Sequence, residues 1–356
     1  MISEPLRICI PLSTRRCYEG FAFQRRHNLM TSSEKRIELR PFVPRQRLKR
    51  PDGFTTASVS VGLNGDVIRL LVEQKSLDAL VARMEQPGWA SFPRTHTDTG
   101  YSSIVVVSGP SGSRETHLSG MTATFPKVEI LPDGKILVVA PRCYRNQDGT
   151  HELNARIYNS DGVEQQKFLL GDGISHVQAD VNGNIWVGYF DEGVYGNFGW
   201  QYPVGPFGAA GLSCFDPSGK KIWDFEPPNG FDHISDCNAL NVAKTGVWAY
   251  YYTDFPIALV DSDFRVRCWS SESAGGGAFA VASERVLLYG GYGDRRTACS
   301  LLQLGDGVAK LIAEVSLVLP REVELSKAQV ICRNEGLHVF CGDDWYFFSI
   351  DSLSGI

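Results

Sequence analysis

"HVQADVNGNIWVGYFDEG", residues 176–193, carries the pattern of strand, turn and strand from which the architecture follows. Val177, Ala179 and Val181 alternate with polar neighbours, Asn182-Gly183-Asn184 is a turn signal, and residues 185–190 read as a second strand. Ile185, Val187 and Tyr189 point one way; Trp186 and Phe190 point the other. Neither face of that strand is polar, so it is expected to be buried on both. An isolated hairpin cannot bury two faces. A hairpin stacked among copies of itself can.

The same grammar of strand, turn and apolar strand returns along the chain. It recurs at 57–73, 127–143, 238–254, 279–294 and 328–344, with turns such as Asn64-Gly65, Pro132-Asp133-Gly134 and Thr245-Gly246. Second hairpins follow most copies, at 155–170, 211–227, 257–271 and 299–315. Four short strands over roughly 40–55 residues is the period of a propeller blade. The expectation is an all-β, six-bladed β-propeller, with seven blades as the second choice. The last unit, ending in "DDWYFFSID", lacks a fourth strand, and a strand at 36–39 or 6–10 is expected to close the ring. Residues 53–356 are thus read as the propeller and 1–52 as a basic, partly disordered extension.

Composition fits this. The chain has 356 residues, 36 glycines and 18 prolines, which favours turns over long helices. No apolar run reaches the length of a membrane span. Arginines stand where an export signal needs an apolar stretch. The nine cysteines are scattered and form no C-x-x-C pair, which points to a reducing cytoplasm and away from a zinc ribbon. The net charge of −5 is uneven, basic in 1–52 and acidic beyond. That segment reads as a solvated leader, so no nucleic-acid partner is expected.

Two segments break the repeat. Residues 76–90 carry helical spacing, with Ser76 as cap and Leu77, Leu80, Val81 and Met84 on one face. Residues 191–211 form a long Gly/aromatic/Pro loop.

The words "GISHVQADVNGNIWVGYFDEGVYG" and "GLSCFDPSGKKIWDF" resemble the repeats of two-component-regulator-type propellers. The matching positions are Asp180, Gly183, Asn184, Trp186 and Gly188, then Gly211, Leu212, Phe215 and Asp216. They are turn and packing residues, so the resemblance implies the fold rather than the sensor role. Virginiamycin-B-lyase-like and gluconolactonase-like propellers, which are enzymes, carry similar signatures. The "GYFDEG" word also resembles a family of bacterial propeller proteins.

In a propeller the hairpin turns lie on one face, while the ends of the second strands and the starts of the innermost strands lie on the other, beside the central channel. Ligand sites are expected there by fold-level analogy. Glu73, Arg142, Asp191 with Glu192, Asp254, Asp294, and Asp343 with Asp344 end the second strands. His176, His233 and Asp236 stand at innermost-strand starts.

The leading expectation is a non-enzymatic binding propeller that offers this face and the 191–211 loop to a protein partner or small ligand. Asp191, Glu192, Tyr195, Trp200, Tyr202, Phe207 and His233 would make the contacts, with no cofactor. The alternative is a lactonase- or lyase-like enzyme whose Ca²⁺ or Mg²⁺ is held by Asp191, Asp254, Asp294 and Asp343, with His176 and Asp236 in catalysis. "GPSGSRET" at 109–116 lacks the Gly-Lys-Ser/Thr of a phosphate loop.

Overall fold

In the computed structural model, residues 36–38, 46–85, 88, 90–110, 112–201, 203–317, 319 and 324–353 are described. The deciding stretch is a hairpin: Ile174–Ala179 pairs antiparallel with Ile185–Tyr189. Its turn is built around Asp180. That carboxylate accepts the backbone N–H groups of Asn182 (2.8 Å) and Asn184 (3.0 Å), and also the Asn184 amide and the Trp186 indole N–H (3.0 Å each). Asp216, Asp261 and Asn159 do the same for the backbone N–H groups two and four residues on, which pins each turn to one register.

The hairpins assemble into four-stranded antiparallel meanders. One is Phe54–Val61, Val67–Glu73, His96–Gly109 and Gly112–Ala123; the next is Lys127–Ile130, Ile136–Val139, Ala155–Tyr158 and Glu164–Phe168. The deciding hairpin continues into Leu212–Phe215 and Lys221–Asp224.

A nine-stranded sheet follows. It holds Asp236–Ala243, Gly246–Tyr252, Ile257–Val260 and Val266–Ser271 as one meander and Ala278–Ala282, Arg285–Tyr289, Cys299–Gly305 and Val308–Ser316 as another. The strands of the two halves are joined into one sheet by the parallel pairs Ser270–Val308 and Ser271–Ala309. The last sheet is Gln329–Arg333, Gly336–Cys341 and Asp344–Ser349, with Gln46–Arg47 as its outer strand. Each meander's first strand packs against the next around a ring, and Gln329–Arg333 returns to Phe54–Val61. The chain is an all-β protein with a β-propeller fold.

Burial explains the stacking. All five residues of Ile185–Tyr189 are buried. On one side Val187 and Tyr189 join the core shared with Leu137 and Ile157; on the other Trp186 packs on Trp223 (5.4 Å between centroids) and Phe264 (5.9 Å). Gly188 permits the close approach, because a Cβ there would lie 2.6 Å from Cys237 Sγ on the neighbouring first strand.

Two sequence expectations are changed, and one further hairpin is added. The helix is a single turn, Leu77–Leu80, after a 3₁₀ turn at Gln74–Ser76, and Ser76 makes no capping bond. Arg83–Met84 instead pairs with Phe92–Pro93, and Arg83 Nε donates to Ser91 Oγ at 2.9 Å; Gly88, at φ +81°, favours that reversal over a longer helix. The "GPSGSRET" stretch joins two long strands of the first sheet, a hairpin the sequence reading left unassigned. Arg36–Glu38 runs parallel to Val308–Ser316, whereas Gln46–Arg47 is the strand that pairs with Asp344–Ser349. Residues 6–10 lie outside the described residues.

Side chains from the inner strands link across the ring. Glu129 and Arg333 form a buried pair at 3.9 Å, and Arg333 also donates to the Ala179 carbonyl at 2.6 Å. Asn241 bonds both backbone groups of Asn334 and the Phe279 carbonyl.

Candidate functional site

Strand alternation decides what faces the channel. Lys127 and Glu129 share a face of Lys127–Ile130, as His176 and Gln178 share one of Ile174–Ala179. The inner members are tied into the ring: Glu129 pairs with Arg333, and Gln178 bonds Leu240 and Val242 across the sheet gap. The outer members, Lys127 and His176, open into a cleft of about 310 Å³. Phe92, Phe125, Ile174 and Phe190 supply its apolar wall, and Arg83, Arg142, Glu192 and Asn238 complete the polar part.

Lys127 is half-buried and makes no ion pair among the described residues. Burial lowers its ammonium to about 8. His176 is also half-buried, and its Nε2 lies 3.2 Å from the Asn238 carbonyl. A carbonyl only accepts, so Nε2 carries the proton in that contact. Burial first, and the Lys127 charge second, push this imidazole down to about 4, so it is neutral at neutral pH.

Arg142 organises the wall. Its guanidinium is buried, bonded to Asp172 at 2.9 Å and Glu192 at 2.6 Å, and it lies 4.1 Å over the Phe198 ring. Asp172 also accepts the Cys143 N–H at 2.8 Å. Burial raises the Asp172 carboxyl to about 6, against the opposing pull of Arg142. Glu192 lies in the short helix Asp191–Tyr195 and accepts the Asn197 amide at 2.7 Å, so Arg142 ties the beginning of the 191–211 loop to the channel mouth.

Asp236 starts its innermost strand beside this region. Burial, helped by the charge of Asp191, raises its carboxyl to about 7. Its Oδ1 is buried with no hydrogen-bond partner among the described residues. Asp191 is raised in turn, by burial and then by Glu192, although it accepts the Glu192 N–H at 2.8 Å.

The other expected residues are dispersed. Tyr195 and His233 are exposed and meet at 3.0 Å on the rim, both bonded to Ser235. Trp200 does not present a surface: it is buried, and its indole N–H donates to the Cys143 carbonyl at 2.8 Å. Phe207 packs on Trp200 and Phe215, with Lys221 4.3 Å from its ring. The aromatic loop therefore packs largely on its own protein, because its rings gain more by burial than in water. Tyr202 lies outside the described residues.

The rim carboxylates do not converge. Glu73 pairs with Lys75 and Asp343 with Arg50, Asp254 is an exposed turn residue at φ +60°, and Asp294 sits in an exposed 3₁₀ turn. Among the described residues no three His, Cys, Asp or Glu side chains group as a metal site. The second strands end one layer out from the axis, so their tips spread around the rim while first-strand starts meet at its centre.

His176, Glu192 and Asp236 are among the residues singled out from the sequence; Lys127, Asn238 and the Arg142–Asp172 pair are not. The available signal was "KVEI": two charged residues alternating with apolar ones on an innermost strand.

The YxzG family profile matches residues 204–347. No curated protein matches the chain. Among solved structures, it is similar to selenomethionine-substituted virginiamycin B lyase from Staphylococcus aureus, at 10% identity over 85% of this chain and 96% of that one, with a TM-score of 0.39. It is also similar to the β-propeller domain of the Trilobed protease from Pyrococcus furiosus, at 14% identity, 83% of each chain and a TM-score of 0.40. A gluconolactonase from Xanthomonas campestris gives 11% identity, 87% of this chain, 99% of that one and a TM-score of 0.38.

Proposed function

We propose that the chain is a six-bladed propeller that binds a small organic ligand at its channel mouth, with an apolar body against Phe92, Phe125 and Phe190 and a polar head toward Lys127 and Asn238. The blade count treats the nine-stranded sheet as two blades joined at their outer strands, and takes Gln46–Arg47 as the ring-closing strand. The observation that carries the binding reading is Lys127: a half-buried ammonium, without an acidic partner among the described residues, facing a largely apolar cleft of ligand size. Phe190 and, from the 191–211 loop, Glu192 form part of the wall of this cleft, and the loop serves in that way rather than as a flat surface for a protein partner.

A second reading, a lactonase- or lyase-like enzyme, draws on Asp236, which burial holds near 7 beside Asp191 and so suits proton transfer at neutral pH. A reducing, cytoplasmic setting is in keeping with the seven described cysteines, all free thiols. No helix among the described residues is long and apolar enough to cross a membrane.

Calorimetric titration with hexanoate, benzoate and phenylacetate tests the binding reading. At least one should bind saturably, and Lys127→Met should weaken it by about 10- to 100-fold, the effect of one charge-assisted hydrogen bond. Equal affinity in the Lys127→Met protein, or no saturable binding to wild type, overturns it.

A further inference from the structure

We propose that Lys127 is a covalent anchor, whose amine condenses reversibly with the carbonyl carbon of an aldehyde or ketone seated in the channel-mouth cleft. This rests on the reading of the cleft as a small-ligand site and names the ligand class.

The geometry supplies what imine formation needs. The nucleophile must be reachable, and Lys127 lines the cleft while remaining half-buried. It must not be locked in an ion pair, and Lys127 has none among the described residues. The charged groups sharing the cleft are Arg83, Arg142, His176 and Glu192. Glu192 is committed to Arg142 at 2.6 Å and to Asn197 at 2.7 Å, and His176 is neutral, so no free carboxylate holds the ammonium in its charged form. The surrounding apolar wall disfavours charge on the amine. At about 8, on the order of a tenth of Lys127 is free amine at neutral pH, against well under a hundredth of an ordinary lysine. Asn238, in the same wall, has a buried Oδ1 without a partner among the described residues, an acceptor for an N–H of the bound amine.

The step balances without a further reactant. The Lys127 lone pair forms a C–N bond to the carbonyl carbon while the C=O π pair moves to oxygen. Proton transfer from nitrogen to oxygen gives the carbinolamine. Loss of that oxygen as water, with a second proton from nitrogen, leaves the C=N bond. Nothing is oxidised or reduced, and water reverses the reaction.

The test is reductive trapping of the full chain with benzaldehyde and cyanoborohydride, the borohydride delivering hydride to the imine carbon. Labelled sites are read by peptide mapping over a range of pH. Lys127 should label ~tenfold or more faster than the other lysines, with a rate midpoint near 8 rather than near the ordinary lysine value. Benzoate should protect it, and the preference should vanish in urea. Lys127→Arg, whose fold is checked by its thermal melt, should remove the fast label. If Lys127 labels no faster than in urea while benzoate still binds, the covalent proposal is overturned and the binding reading stands. If none of the three carboxylates binds as well, both fall.

Discussion

Replacing Arg142 with methionine removes a buried cation and leaves most of its aliphatic volume in place. What stays behind is Asp172, buried, with the Cys143 N–H at 2.8 Å as its remaining strong donor and with Glu192 nearby. Removing one member of a buried pair typically costs about 3–5 kcal/mol, because the other charge is left uncompensated. An exposed pair costs about 1 kcal/mol or less. Burial against burial, the larger figure applies to Arg142→Met at neutral pH and above.

The pH dependence separates this electrostatic loss from a packing defect. The Asp172 carboxyl stands at about 6 with Arg142 present, so in the wild type it ionises on folding-relevant terms between its unfolded value of roughly 4 and 6. Its folded value is raised, so its contribution to stability is greatest below the unfolded pKa and is lost as pH rises through the folded one. Without the guanidinium the folded value moves higher still. The wild type then flattens above 6 while the variant keeps losing stability, by up to about 1.4 kcal/mol per pH unit.

Urea unfolding of both proteins at pH 5, 6, 7 and 8 reads the difference directly, provided the m-values agree. Arg142→Met with Asp172→Asn should recover much of the loss, since no charge remains buried while the Cys143 N–H keeps an acceptor. A loss under about 1 kcal/mol that does not grow between pH 6 and 8 refutes the reasoning. It would mean that Asp172 is far better solvated than its burial implies.

Two further outcomes are expected. Asp236→Asn should flatten the pH dependence of stability between roughly 4 and 7, where the wild type loses stability with rising pH because its folded carboxyl holds its proton up to about 7; urea midpoints across that window check the slope. Trp200→Ala should cost about 3–5 kcal/mol by denaturant unfolding, and Trp200→Phe nearer 1–2, since the first empties a buried site and the second mainly loses the bond to the Cys143 carbonyl.

Much of the propeller was legible because the repeat is written in short-range signals. Asp180 and Asp216 fix their turns within six residues of sequence, and the strand at Ile185–Tyr189 is apolar on both faces. What was hidden lay at longer range. The strand that pairs with Asp344–Ser349 is the two-residue Gln46–Arg47, too short to carry a period, and its neighbour Leu48 is fixed by packing on Phe340 and Trp345 nearly 300 residues away in sequence. The hairpin of His96–Gly109 and Gly112–Ala123 was hidden by its polar outer strand, which reads as loop.

The site was harder to read because proximity to the axis depends on layer, and layer is not written in composition. Asp254, Asp294 and Asp343 end second strands and look equivalent to Asp191, yet second-strand ends sit on a wide rim where each finds water or a local partner. First-strand starts share a narrow mouth, so Lys127 from one meander and His176 from the next come close enough for the lysine charge to depress the imidazole. The alternation in "KVEI" is its local mark, and by itself a strand-initial lysine after Pro126 reads as an ordinary solvated end. Its distinction is topological: it begins an innermost strand whose next same-face residue, Glu129, is buried against Arg333. On an outer strand such alternation marks a solvent face. On an innermost strand of a propeller the same alternation marks the channel, and the first charged residue on that face is the one a ligand entering the mouth would meet.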